Sequence, residues 1–142
     1  VDTIVVHQDI AADFIPIINI ALNKVNVEVV TSEDWDKEFL KLAVNIKVVK
    51  NTEEAIKFIN QHSKKHSEGI VASDKRTIEY FANSVDAAAL FINCSTRLHD
   101  GYVFGFGSEM GISTGKLHAR GPVGLRELTT YKWEVYGNGQ IR

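Results

Sequence analysis

The sequence predicts an α/β fold in which helices flank a mixed, mostly parallel sheet. Three features predict it. Short β-rich runs alternate with helix-length amphipathic stretches from Thr3 to Ile92. Several of the helical stretches follow an Asp, Ser or Thr able to cap them. The last run, Ala87–Ile92, is apolar throughout, as strands covered on both faces are.

The elements follow in order. Thr3–Val6 is expected to be a strand ending at His7-Gln8, with Asp9 capping a helix whose apolar face is Ile10, Phe14, Ile17, Ile18, Ala21 and Leu22. Pro16 falls inside that pattern and is expected to kink or divide it. Val25, Val27 and Val29 alternate with Asn26 and Glu28, as in a half-buried strand. Ser32 before Glu33, Asp34 and Asp36 predicts the capped start of an acidic helix. Ile46–Val49 is the next strand, and Thr52 is expected to cap a helix with the stripe Ala55, Ile56 and Ile59 and Phe58 on its flank. Gly69–Ala72 is a strand, and Asp74 caps a helix presenting Ile78, Phe81, Ala82 and Val85. After Asn93 the alternation stops. The glycine-rich stretch from Phe104 to Leu125 carries Phe104, Phe106, Met110 and Ile112, too much apolar surface for a linker. Its backbone is expected to be fixed, close to a ligand or a neighbouring subunit. Thr129–Val135 alternates like an exposed or bridging strand.

Composition narrows the function classes. The 142 residues suit one domain, and 44% hydrophobic with 24% charged residues is globular. A net charge of −2, with both signs scattered, gives no footprint for nucleic acid or an anionic membrane. One cysteine excludes an internal disulfide and fits a reducing compartment. No apolar run approaches the roughly 18–20 residues of a membrane span. There is no basic segment ahead of an apolar one, so no signal peptide is read. The chain opens directly on a strand, which reads as a piece of something longer.

Cys94, the only thiol, is read as a small buried residue at a strand end, because no adjacent base or helix start would lower its pKa. Ser95, Thr96 and Arg97 follow a buried strand at its carboxyl end, the edge where α/β sheets bind ligands. Two readings fit them: a site for a carboxylate or phosphate, or a turn whose hydroxyls cap backbone groups while Arg97 pairs with Asp100. His62 and His66 lie four apart near Glu68, but Ser63-Lys64-Lys65 ends the helix and the lysines repel a cation. They are read as a helix C-terminus rather than a metal site. Gly105, Gly107 and Gly111 are one residue too widely spaced for a dinucleotide fingerprint, and Gly111 to Lys116 is one residue short of a phosphate-binding loop.

Several runs together resemble one family. They are Asn93-Cys94-Ser95-Thr96-Arg97, Phe104-Gly105-Phe106-Gly107, Gly111-Ile112-Ser113-Thr114, His118-Ala119-Arg120-Gly121-Pro122 and Leu128-Thr129-Thr130-Tyr131-Lys132-Trp133. The stretch from Val49 to Ile70, with Ala55-Ile56, Ile59, His62-Ser63 and His66-Ser67-Glu68, adds to them, and departs from the usual pattern at Phe58 and Lys64. From Val1 to about Val135 the chain resembles the C-terminal part of γ-glutamyl phosphate reductases, members of the aldehyde dehydrogenase superfamily.

The resemblance implies an aldehyde-dehydrogenase-like catalytic domain over residues 1–125 and an oligomerisation strand over 126–142. Cys94 stands where alanine is usual, and the family's nucleophilic cysteine is expected just upstream of Val1, so no catalytic residue is expected in this chain. Ser95, Thr96 and Arg97 are expected to face substrate. Phe106 matches an aromatic that borders the substrate tunnel, a packing role being the alternative. Glu38, in Glu38-Phe39-Leu40, matches a carboxylate that holds the nicotinamide ribose, the alternative being a solvated helix face. His118, Arg120, Lys132 and Trp133 are assigned to structure and assembly. The implied function is part of an NADPH-dependent reductase that converts γ-glutamyl phosphate to glutamate 5-semialdehyde in proline biosynthesis. It would be cytoplasmic and homo-oligomeric, with NADP(H) held mostly by a domain outside this chain, and the chain alone is expected to be inactive. The alternatives are a non-catalytic binding or assembly module of the same fold, or the reductase part of a bifunctional kinase–reductase. Relatives are also expected to have a longer connection at Val30-Thr31.

Overall fold

The computed structural model describes residues 1–113 and 115–142. Thr114, the end of the Gly-Ile-Ser-Thr run, lies outside them. The described elements are β1 (Thr3–His7), α1 (Gln8–Lys24), β2 (Glu28–Val30), β3 (Ala43–Val49), α2 (Thr52–His62), β4 (Ser67–Ile70), α3 (Lys75–Ser84), β5 (Ala89–Ile92), a 3-10 turn (Thr96–Leu98), β6 (Met110–Ile112) and β7 (Gly121–Val123). The fold is α/β, as expected. The strands form three sheets: parallel β1-β3-β2, parallel β4-β5 and the antiparallel pair β6-β7. The glycine-rich stretch is therefore partly a hairpin, with Met110 opposite Val123 and Ile112 opposite Gly121.

Two helix starts lie one or two residues before the expected cap. His7 caps α1, its Nδ1 accepting from Asp9 N at 3.2 Å. Asn51 caps α2, its Oδ1 accepting from Glu54 N at 2.9 Å, while Glu54 accepts from Lys50 N. Asp74 caps α3 as expected, accepting from Thr77 N at 2.8 Å. Pro16 does not divide α1. The helix ends where Asn26, at φ 56°, turns the chain, with Asn26 N bonded to Asn23 O and Val27 N to Leu22 O. That turn delays β2 to Glu28, so Val25 and Val27 are not strand residues.

The expected acidic helix after Ser32 is absent. The carbonyl of Ser32, which a helix would use for its first bond, accepts instead from Asn45 Nδ2 at 2.8 Å. Asn45 is 2% exposed, on the central strand of its sheet. The Ser32 hydroxyl closes a turn onto Asp34 N, and Leu40 sits at φ 51°.

Ile56, Phe81 and Val85 form the main apolar cluster between α2 and α3, with Ile59, Ile70, Ala87 and Leu90 against it. The α1 face that packs is Phe14, Ile15, Ile18 and Leu22, whereas Ile10, Ile17 and Ala21 of the expected face are exposed. Surface area shows how open the chain is. A compact monomer of 15.8 kDa would expose about 7,300 Å²; this chain exposes 10852 Å². Large apolar surfaces are thus left uncovered, among them most of residues 125–142, where the expected strand Thr129–Val135 pairs with no strand of the described chain. Among the described residues, no helix is long and apolar enough to cross a membrane.

Candidate functional site

The carboxyl end of β5 is held by Asn93. Its φ of 55° turns the chain, its N–H donates to Ile70 O, and its amide both donates to Ala72 O and accepts from Ala72 N, each at 2.9 Å. The side chain thereby extends the β4-β5 pairing by one step and fixes where the next residues emerge. Cys94 is exposed there, which corrects the expectation of burial. Ser95 caps the 3-10 turn, its Oγ accepting from Arg97 N at 3.2 Å. Thr96 packs its methyl over Gly69, where an added Cβ would lie 3.4 Å away. Arg97 is exposed and has no acidic partner among the described residues. Of the alternative turn reading, the Ser95 cap is thus present, but the Arg97–Asp100 pair does not form: Asp100 Oδ1 accepts from the N–H groups of Tyr102 and Val103. The structure therefore gathers Ser95, Thr96 and Arg97 into one turn with the guanidinium available to an anion.

The end of that turn rests on His99. Its Nδ1 contacts Ser67 Oγ, which also lies 2.8 Å from His66 Nδ1. The two imidazoles stack with centroids 4.2 Å apart, and Phe91 and Phe104 pack against His99. Burial lowers the His99 pKa, and His66 lowers it further, against the opposing pull of Glu109. Phe106 reaches this cluster through Phe104 at 6.2 Å, edge to face. An open groove of about 420 Å³ runs beside Phe106, lined by Ser108, Glu109, Met110, Val123, Leu125 and Leu128. Its walls are mostly apolar and their one charge is negative, which suits an apolar neighbour better than a phosphorylated substrate.

Nothing in the sequence singled out His99 or Asp86, and Ser67 entered only as part of the His66-Ser67-Glu68 run. Asp86 receives Lys116 at 2.8 Å, Arg120 at 3.2 Å and Lys65 at 3.3 Å, and Arg120 also donates to Ala87 O. Hydrogen bonding from Lys116, then from Lys65 and Arg120, holds its pKa down to about 2 despite some desolvation. This carboxylate ties the far side of the glycine-rich loop to the start of β5. Arg120 is thereby engaged by Asp86 and the carbonyl of Ala87. Glu68 is the opposite case: burial raises its pKa, and the hydroxyl of Ser63, donating at 2.7 Å, only partly offsets that.

His62 and His66 point to different partners, Asp36 at 3.0 Å and the Ser67–His99 pair. Glu38 does not join the Ser95 turn. It is exposed on the irregular segment before β3, and its neighbour Phe39 donates to Asp2 Oδ1 at 3.5 Å. Asp2 O in turn accepts from Asn45 N, so the Glu38–Phe39 segment is tied to the first residues of the chain.

No family model matches the chain. Curated proteins do. The γ-glutamyl phosphate reductase of Listeria welshimeri is 47% identical over 156 residues, spanning 99% of this chain and 38% of that protein. That of Francisella philomiragia is 49% identical with the same coverage. The crystal structure of γ-glutamyl phosphate reductase from Thermotoga maritima superposes with a TM-score of 0.91 at 46% identity, again over 99% of this chain and 38% of that one. The chain thus spans little more than a third of its curated relatives. An alignment of 156 positions against 142 residues leaves at least 14 positions of the relatives without a counterpart here.

Proposed function

We propose, for a chain homologous to γ-glutamyl phosphate reductases over 99% of its length, that it forms the substrate-side wall of an NADPH-dependent reductase making glutamate 5-semialdehyde. The observation that carries the reading is the close match in both sequence and fold to the Thermotoga maritima enzyme. In the proposed reaction a thiolate, supplied from outside these residues, attacks the acyl phosphate and expels phosphate to give a thioester. The nicotinamide cofactor supplies the hydride. Reduction of the thioester by that hydride would release the aldehyde and return the thiolate.

This chain's residues bind and orient. Arg97 offers an exposed guanidinium suited to a substrate carboxylate or phosphate. Ser95 and Thr96 supply hydroxyls in the same turn, and Phe106 borders the entrance. A nicotinamide cofactor also fits Glu38, whose carboxylate is exposed, has no ion-pair partner among the described residues and can accept from a ribose diol. The bond from its neighbour Phe39 N to Asp2 Oδ1 keeps it near the start of β1, beside which the thiolate is proposed to lie. Residues 126–142, with Tyr131, Trp133 and Val135 exposed, form the proposed strand that joins a second copy. The site is small-molecule, and the protein is proposed to act in the cytoplasm.

The test replaces the matching segment of the Thermotoga maritima enzyme with this chain. Phosphate-dependent NADP reduction by the semialdehyde is then measured for the chimera and for the chain alone. The expected result is activity in the chimera and none in the chain. A folded but inactive chimera overturns the reading of the wall, and turnover by the chain alone overturns the placement of the thiolate.

A further inference from the structure

Ser67 Oγ stands between two Nδ1 atoms, and a hydroxyl has one proton, so it can donate to only one ring; accepting from the other satisfies all three groups. The outer nitrogens decide which. His99 Nε2 is buried with no hydrogen-bond partner, whereas His66 Nε2 faces Gly111, where an added Cβ would lie 3.2 Å away. An orphaned N–H is the rarer and costlier arrangement. The lone pair therefore belongs on His99 Nε2, which makes His99 Nδ1–H the donor to Ser67 and the Ser67 hydroxyl the donor to His66 Nδ1.

We propose that His99 is a positioning residue for the Ser95–Arg97 turn, and that the neutral chain His99–Ser67–His66 is the state that holds the turn against β4. The turn reaches His99 directly, through His99 N to Thr96 O and Leu98 N to Ser95 O, both 3.1 Å. Protonating His99 creates a buried N–H without an acceptor and sets a cation against the His66 ring. The groups facing the pair are His66 itself before β4, Glu109 before β6, the rings of Phe91 and Phe104, and Gly121 of β7. Glu109 is the one acid among them and only partly opposes the effect. The turn is ordered when His99 is neutral and loosens in mild acid. The consequence for catalysis rests on assigning this turn to substrate; the test does not.

Amide hydrogen exchange of Leu98 and His99, normalised to the intrinsic rate and followed by NMR without substrate, reads the hold directly. Protection is expected to fall roughly three- to tenfold between pH 8 and pH 5. His99→Phe keeps the stack and is expected to make protection independent of pH. Ser67→Ala is expected to give low protection at both pH values. Flat protection in the unsubstituted protein, or an unchanged pH dependence in His99→Phe, overturns the proposal. Should His99→Phe fail to fold, a pH-dependent profile in Ser67→Ala overturns it equally. Flat protection in the chain alongside an active chimera would overturn this proposal and leave the functional reading standing.

Discussion

Gly101 is buried where the chain enters the aromatic turn, and a methyl group there would lie 2.6 Å from Glu109 Cβ. Carbon atoms rest at about 3.5–4.0 Å, so the overlap is about 1 Å. Glu109 Cβ is fixed to the backbone and cannot rotate away, so the Gly101→Ala loop must shift. Overpacking of this kind costs about 1–3 kcal/mol. The assay is urea unfolding combined with hydrogen exchange at Phe106, whose N–H donates to Gly101 O at 2.7 Å. A double-mutant cycle isolates the cause. Glu109→Gly removes the opposing Cβ and should recover most of the loss, whereas Glu109→Ala leaves that atom in place and should not. Gly105→Ala is the control: nothing lies within 4 Å, but φ is +81°, so about 1 kcal/mol is lost through the backbone alone and Glu109→Gly does not restore it. Equal rescue by Ala and Gly at position 109, or a Gly101→Ala protein as stable as its parent, would refute the reasoning.

Phe81 is 3% exposed at the centre of the α2–α3 cluster. Phe81→Ala is expected to cost about 3–5 kcal/mol, read from the denaturant midpoint at unchanged slope. Asp86 has a folded pKa of about 2 against an ordinary 3.8, so its stabilisation is complete above the ordinary value and is lost as pH falls through the folded one. Asp86→Asn should lower the melting temperature at pH 7, and the gap to the parent should close as pH falls toward 2. In the active chimera, Arg97→Ala is expected to reduce kcat/KM for the semialdehyde by about tenfold to a hundredfold, with partial recovery in Arg97→Lys. Glu38→Gln there should raise the KM for NADP more than it lowers kcat.

Local patterning made the helices and most strands legible, since a capping side chain and an apolar stripe are short-range signals. The caps fall on His7 and Asn51 rather than Asp9 and Thr52 because the local pattern offers several acceptors, and the ring nitrogen of His7 competes with the more usual side-chain oxygens. The segment after Ser32 failed for a long-range reason. Its local pattern favours a helix, but Asn45, thirteen residues on, takes the carbonyl that helix would need. The extra apolar face of α1 was merged with the packed one because periodicity shows that a side chain is apolar and not what covers it. In the site, the Ser95–Arg97 turn follows a strand as the sequence suggests; of the turn reading, the Ser95 cap on Arg97 N is present and the Arg97–Asp100 pair is not, because Asp100 bonds to its own turn. His99 and Asp86 left no local signal. Their partners lie 32 and 34 residues away for Ser67 and Arg120, and only the tertiary fold brings them into reach.

The strand order β1-β3-β2 also sets a sequence of events in folding. β1 and β2 never pair with each other; each waits for β3, and Thr3 finds its partner only at Asn45. Within residues 1–49, α1 can wind from local bonds alone, whereas β1 and β2 gain their shared ladder only once β3 has formed. Non-local parallel pairing of this kind is slow to form, so this three-stranded ladder is expected to close after α1 has wound.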